Sequence, residues 1–134
     1  GRELTVGVLE GRPLPMVETV PDREFFDYEA KYKDENTSYV TPVALLETVY
    51  RRAVDSAVRA YNSLGCSHFA RVDLIHGYDG SLHIMEINTI PGFTPRSLLP
   101  MAAAEAGMEF PDLCGNIVQL ALKDAGASTT RRAG

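Results

Sequence analysis

The chain has 134 residues, 45% of them hydrophobic, with a net charge of −5 and a pI near 5.1. That length and apolar fraction suit one folded domain with a core to bury, and exclude a disordered segment. The acidic balance argues against nucleic acid or a membrane surface as partner.

Glu3 to Leu9 alternates and predicts a strand. Entry into a strand almost at the first residue, GRELTVGVL, with no initiator Met, leads us to expect the C-terminal piece of a longer enzyme. Glu10-Gly11-Arg12 reads as a turn, and Leu14 to Val17 as a short second strand that Pro13 and Pro15 push toward an edge. Residues 22–41, DREFFDYEAKYKDENTSYVT, hold no sustained period and predict a long loop of the functional or disordered kind. Thr41-Pro42 signals a helix start, with Thr as N-cap and Pro at the first helical position. Val43, Leu46, Val49, Ala53, Ala57, Tyr61 and Leu64 then follow at three-to-four spacing up to a stop at Gly65. Strands are predicted from about His68 to Ile75 and Ser81 to Ile87. A helix is predicted from Thr94-Pro95 to Ala106, stopped by Gly107, and another from Pro111 to Asp124. Ala127 to Gly134 has no apolar period and reads as a disordered tail. The order β-β-loop-α-β-β-α-α predicts an α+β domain over residues 1–126. Its mostly antiparallel sheet carries helices on one face.

No apolar run approaches the roughly 20 residues of a membrane span, and no basic segment precedes an apolar one as in a signal peptide. Cys66 and Cys114 stand in no metal or redox spacing. They read as free thiols in a reducing, cytoplasmic compartment, with a single disulfide as the alternative. The three histidines show no ligand spacing and read as structural.

The hairpin RVDLIHGYDGSLHIMEIN, Arg71 to Asn88, carries the chemistry. Asp79-Gly80 suits a two-residue type I′ turn. Tyr78 then faces Ser81, Asp73 faces Glu86 and Arg71 faces Asn88. Side chains alternate along a strand, so Arg71, Asp73, Glu86 and Asn88 share one face. Ala70, Val72, Leu74, Met85 and Ile87 take the other face as core, and Met101 joins them. Opposed carboxylates repel unless a cation lies between them. Two carboxylates and an amide oxygen suit magnesium, whose shell phosphates and water complete. The same spacing also fits an exposed polar face on which Arg71 bridges Asp73. Downstream, Pro91-Gly92 is a tight turn, and the helix start at Thr94-Pro95 directs the N–H groups around Arg96, Ser97 and Leu98 outward, where an anion could bind.

RVD and the run MEINTIPGFTPRSLLPMAAAEAGM resemble the C-terminal part of the D-alanine–D-alanine ligases, an ATP-grasp family of peptidoglycan synthesis. FFDYEAKY resembles the mobile ω-loop of that family, and GRELTVGVL the strand after its adenine hinge. The resemblance extends from Gly1 to about Ala125. It implies the C-terminal ATP-grasp fold and an ATP-dependent ligation: ATP phosphorylates the carboxylate of one D-alanine, giving an acylphosphate and ADP, and the amine of a second then attacks and displaces phosphate. It implies Asp73, Glu86 and Asn88 as ligands of two Mg2+ or Mn2+ ions, and Arg71 with the Gly92 N–H as an oxyanion hole. Ser97 and Leu98 would hold the carboxylate of the second D-alanine. Lys31 would reach the transferred phosphate, Tyr32 would close over the substrate, Phe25 would meet adenine and Glu3 ribose. Apart from the resemblance, Lys31 and Tyr32 read as solvated loop residues. The family's N-terminal and central domains, which hold the first D-alanine and the phosphates, have no counterpart in this sequence, so the isolated chain is expected not to catalyse ligation. The parent enzyme is expected to be cytoplasmic and, as in many members, a homodimer. The alternatives are another ATP-grasp carboxylate–amine ligase and a non-catalytic magnesium- or nucleotide-binding module.

Overall fold

Every residue from Leu4 to Leu9 is buried, because this strand lies inside the sheet with helices over both of its faces. The computed structural model describes residues 1–21 and 37–131, with side chains described through residue 125. Its elements are β1 (Arg2–Leu9), β2 (Arg12–Pro13), β3 (Val17–Pro21), β4 (Thr37–Val40), α1 (Glu47–Ser63), β5 (Phe69–His76), β6 (Leu82–Asn88), α2 (Leu98–Glu105) and α3 (Phe110–Arg131). The strands form one sheet in the order β4-β3-β1-β5-β6, with β2 paired to β1, and every pairing is antiparallel.

The α+β architecture is as expected, but the helices are divided between the two faces. Leu4, Val6 and Val8 of β1 and Ala70, Val72 and Leu74 of β5 pack on Ala53, Ala57 and Tyr61 of α1. On the opposite face, Leu9, Leu14 and Val17 pack on Leu99, Ala102 and Ala103 of α2 and Leu113 and Leu120 of α3. Gly7 lies where this second layer comes closest. A β-carbon there would stand 2.7 Å from Leu99 Cδ1. The continuous apolar run Val6-Gly7-Val8-Leu9 already departs from simple alternation, as a strand covered on both sides should.

The two helix starts differ from expectation. Helix α1 begins at Glu47, after Leu46, because the Thr41 hydroxyl donates to the Met16 carbonyl at 3.2 Å instead of capping a helix. Residues 41–46 carry the chain from the sheet edge across to α1, burying Val43 on the way. Helix α2 begins at Leu98 with Ser97 as N-cap. Thr94 instead opens a turn, its carbonyl accepting from Ser97 N at 2.9 Å. The second strand is likewise split, into β2 and β3 on either side of Leu14 to Met16. Thr37–Val40, expected within the long loop, is the edge strand β4, paired to β3. Helix α3 runs to Arg131, past the expected end at Asp124 and into the expected tail. The apolar stripe marks only the part that packs, and a run containing Ala125 and Ala127 continues the helical hydrogen bonding beyond it. Both cysteines are free. Among the described residues, no helix is long and apolar enough to cross a membrane.

Candidate active site

The β5–β6 hairpin closes differently from a two-residue turn. Gly80 N donates to Gly77 O at 3.0 Å and Gly77 N to Ser81 O at 2.9 Å, which makes Tyr78-Asp79-Gly80 a three-residue loop. Gly80 takes φ +81°, the left-handed residue such a loop requires. Asp79 braces the turn by accepting from the Ser81 hydroxyl at 2.6 Å and Ser81 N at 3.0 Å. The Ser81 hydroxyl, and after it the Ser81 N–H, hold the Asp79 carboxyl below the usual carboxylate range.

This longer turn shifts the pairing by one, so that Leu74 faces Ile84 and His76 faces Leu82. A bulge between Asp73 and Leu74 then takes up one extra residue of β6, Met85, and restores the expected pairs Asp73–Glu86, Val72–Ile87 and Arg71–Asn88. Met85 therefore stands 63% exposed and is not core. The bulge matters because a one-residue slip exchanges the faces of a strand. Leu82 and Ile87 both pack on the α1 side, yet they are an odd number of residues apart. Without the bulge, Glu86 and Asn88 would share the α1 side with Leu82. The apolar spacing of two and then three, Leu82 to Ile84 to Ile87, was the sequence signal for it.

The expected face is assembled. Arg71 forks onto Asp73, donating from Nε to Oδ1 at 3.0 Å and from Nη2 to Oδ2 at 2.7 Å. Nη2 also reaches Glu86 Oε1 at 3.5 Å. The guanidinium thus lies between the two carboxylates and offsets one of their two negative charges. Glu86 is 61% exposed with only that long contact recorded, and its oxygens are open to a further partner. Asn88 Oδ1 accepts from Ile90 N at 3.0 Å, turning the chain off the sheet toward Pro91-Gly92. Glu3, expected at a ribose, is exposed on β1 opposite Ile75. Cross-strand partners point the same way, so Glu3 is on the face of Asp73.

Gly92 and Ser97 come together. A β-carbon on Gly92 would lie 3.2 Å from Ser97 Oγ. That hydroxyl accepts from Thr94 N at 3.0 Å and makes no cap of its own helix. At the start of α2, Leu98 and Leu99 carry first-turn N–H groups with no partner inside the helix, and Pro100 has none to offer. Leu98 itself is half-buried against the second core. Lys31, Tyr32 and Phe25 lie outside the described residues.

Two contributors were missed in the sequence. Thr5, opposite Asp73 in the register, donates its hydroxyl to Asp73 Oδ1 at 2.8 Å. Phe93 lies 6.0 Å from Phe69 and 5.5 Å from Phe110, centroid to centroid, anchoring the Gly92 turn to the second core. A phenylalanine directly after Pro-Gly, where a solvated turn would carry a polar residue, was the available signal.

The donor set fits magnesium better than a soft metal. Among the described residues no three His, Cys, Asp or Glu side chains gather to cage an ion. Two carboxylates and an amide oxygen suit a hard cation that keeps water and substrate oxygens in its shell.

Comparison with known proteins shows the family and the fold. The family model described as D-ala D-ala ligase C-terminus matches residues 1–119. The D-alanine--D-alanine ligase of Syntrophotalea carbinolica is 47% identical over 118 residues, covering 88% of this chain and 38% of the relative. The crystal structure of the Bacillus anthracis D-alanine--D-alanine ligase complexed with ATP superposes with a TM-score of 0.79 at 35% identity, over 96% of this chain and 42% of that one. The VanG D-Ala:D-Ser ligase of Enterococcus faecalis superposes with a TM-score of 0.74 at 31% identity, over 90% of this chain and 36% of that one. The chain thus spans about two fifths of the length of the curated relatives it matches, and it belongs to the D-alanine–D-alanine ligase C-terminal domain family.

Proposed function

We propose that this chain is the C-terminal part of an ATP-dependent D-alanine–D-alanine ligase of peptidoglycan synthesis. In this reading it supplies the metal-binding, oxyanion and second-substrate side of the active site. The observation that carries this is one sheet face on which Arg71 spans Asp73 and Glu86, beside a turn where Gly92 meets the first residues of α2.

Asp73, Glu86 and Asn88 would hold magnesium, which when bound screens the phosphate charges and draws electrons from the γ-phosphorus. The chain's own groups do the rest by placement. With a cation offsetting their charge, Asp73 and Glu86 would face the ATP phosphates, and Arg71 would turn from them toward the oxyanion that develops on the acyl oxygen. The Gly92 N–H is the second donor to that anion, because no side chain shields it. Ser97 and the first N–H groups of α2 hold the carboxylate of the incoming D-alanine, which leaves its amine free to attack. Lys31 and Tyr32 would close the site from the loop and exclude water from the acylphosphate. Glu3 would meet the ribose and Phe25 the adenine.

The test is a ligation assay on the full-length enzyme, following ADP release on addition of D-alanine and Mg2+. Arg71→Ala is expected to lower kcat by roughly two to three orders of magnitude, as loss of an oxyanion donor does. ADP release that does not depend on D-alanine would overturn the reading. A second acceptor deserves its own arm, since the VanG D-Ala:D-Ser ligase shares the fold at a TM-score of 0.74. Preference for D-serine over D-alanine as the attacking amine would reassign the substrate and leave the chemistry standing.

A further inference from the structure

Thr5 is the buried polar side chain recorded among the described residues, 4% exposed in the middle of the sheet. It sits on β1 directly opposite Asp73. Its hydroxyl lies 2.8 Å from Asp73 Oδ1 and must donate, because an ionised carboxylate only accepts. Arg71 Nε donates to the same Oδ1 at 3.0 Å, and its weaker branch reaches Oδ2 at 3.1 Å. Oδ1 thus has two donors for its two lone pairs. Oδ2 holds the Arg71 Nη2 contact at 2.7 Å.

The two donors differ in permanence. Arg71 has a long side chain and an alternative partner, Glu86 at 3.5 Å. Its contacts to Asp73 are given up if the guanidinium turns to a substrate anion. Thr5 is β-branched, stiff at χ1 and enclosed by its neighbours, so its hydroxyl stays where it is. Asp73 would then keep one tether, and that tether decides which oxygen is left free.

We propose that Thr5 is a positioning residue for the metal-binding carboxylate of Asp73. Its hydroxyl occupies Oδ1 and fixes the carboxylate plane, so that Oδ2 is the oxygen presented to a divalent cation once Arg71 engages the substrate. This rests on reading Asp73 as a metal ligand, and the experiment separates the two ideas.

Mn2+ serves as probe, its free concentration followed by electron paramagnetic resonance while full-length enzyme is titrated in the presence of ADP. Asp73→Asn tests the metal site itself and is expected to weaken Mn2+ binding strongly. Thr5→Val, nearly isosteric, is expected to weaken it about ten-fold, the scale of an outer-shell partner. Thr5→Ser keeps the donor and is expected to restore binding. In activity assays Thr5→Val should raise the Mg2+ concentration for half-maximal rate far more than it lowers kcat at saturating Mg2+. The metal-free melting temperatures of both Thr5 variants should stay close to the parent's. If Thr5→Val does not fold, Thr5→Ala removes the same hydroxyl without adding a methyl group. If Asp73→Asn weakens Mn2+ binding and the hydroxyl deletions do not, Thr5 has no positioning role. Equal losses in Thr5→Ser and Thr5→Val would mark a packing effect and also overturn the proposal. Unchanged binding in Asp73→Asn would remove the metal site and the proposal with it.

Discussion

Gly7 faces Leu99 with no side chain between them, and α2 lies as close to the sheet as it does for that reason. A β-carbon at Gly7 would meet Leu99 Cδ1 at 2.7 Å and Leu14 Cδ1 at 3.1 Å, and Leu99 is fully buried with little room to yield. Gly7→Ala is expected to destabilise the fold by about 1–3 kcal/mol, the usual range for overpacking, read from the urea midpoint. It should also disturb the start of α2, which the same contact positions. Tyr61 carries a pH dependence. It is 4% exposed among the α1 core residues, and burial, then Cys66 nearby, push its phenol above the usual value. The neutral form is the one the fold favours. Its stabilising share is therefore complete below the unfolded value near 10 and is lost as pH rises through the higher folded value. Urea midpoints should fall in that alkaline window, and Tyr61→Phe should fall less. At this scale alternation made Arg71 and Asp73 legible as one pair and Glu86 and Asn88 as another, and the two pairs share a face as expected because the longer turn and the Met85 bulge cancel. Thr5 was not legible, because nothing in GRELTVGVL says which strand β1 will lie beside.

The β5–β6 hairpin shows how an element's register depends on two irregularities that cancel. The Asp79-Gly80 signal correctly marked a turn, but the turn holds three residues, and only the Met85 bulge returns Glu86 to Asp73. Deleting Met85 removes the extra residue and the bulge together, so Glu86 would follow Ile84 directly and still face Asp73 in the register that the Gly77–Ser81 turn sets. The deletion is therefore expected to leave ligation in the full-length enzyme near the parent's, as is Met85→Thr, which keeps the extra residue at an exposed position. Loss of ligation in the deletion alone would show that the bulge itself, and not the register, sets the site. The helix starts teach the converse lesson. Thr-Pro before an apolar stripe suggested a cap twice, at Thr41 and Thr94. In each case the surroundings claim the threonine first: Thr41 bonds the Met16 carbonyl, and Thr94 forms a turn with Ser97. Capping signals are outcompeted at Thr41 by a tertiary acceptor and at Thr94 by a local turn.

At the level of the whole molecule, the chain offers one side of a site. The carboxylates, the guanidinium and the start of α2 converge on the sheet face that α2 and α3 leave uncovered at the β6 end. The chain spans 38% of the Syntrophotalea carbinolica relative, and in the proposed reading Lys31 reaches the transferred phosphate while the remaining phosphate-holding groups belong to the rest of the enzyme. The isolated chain is expected to form no D-alanyl-D-alanine from ATP and D-alanine, and to bind ATP·Mg weakly by calorimetry. Ligation at a normal rate would contradict that division of the site. The sequence by itself determined the antiparallel α+β class, the polar face of the hairpin and the family, because strand alternation, helical spacing and motif order are written along the chain. Only the tertiary structure decided that the helices cover both faces, that Thr5 stands beneath Asp73, that Met85 is a bulge and that Phe93 holds the Gly92 turn. Each of those depends on which distant segment becomes a neighbour. That choice is made by packing α2 against Gly7 and β1 between β3 and β5, not by any local preference of the residues themselves.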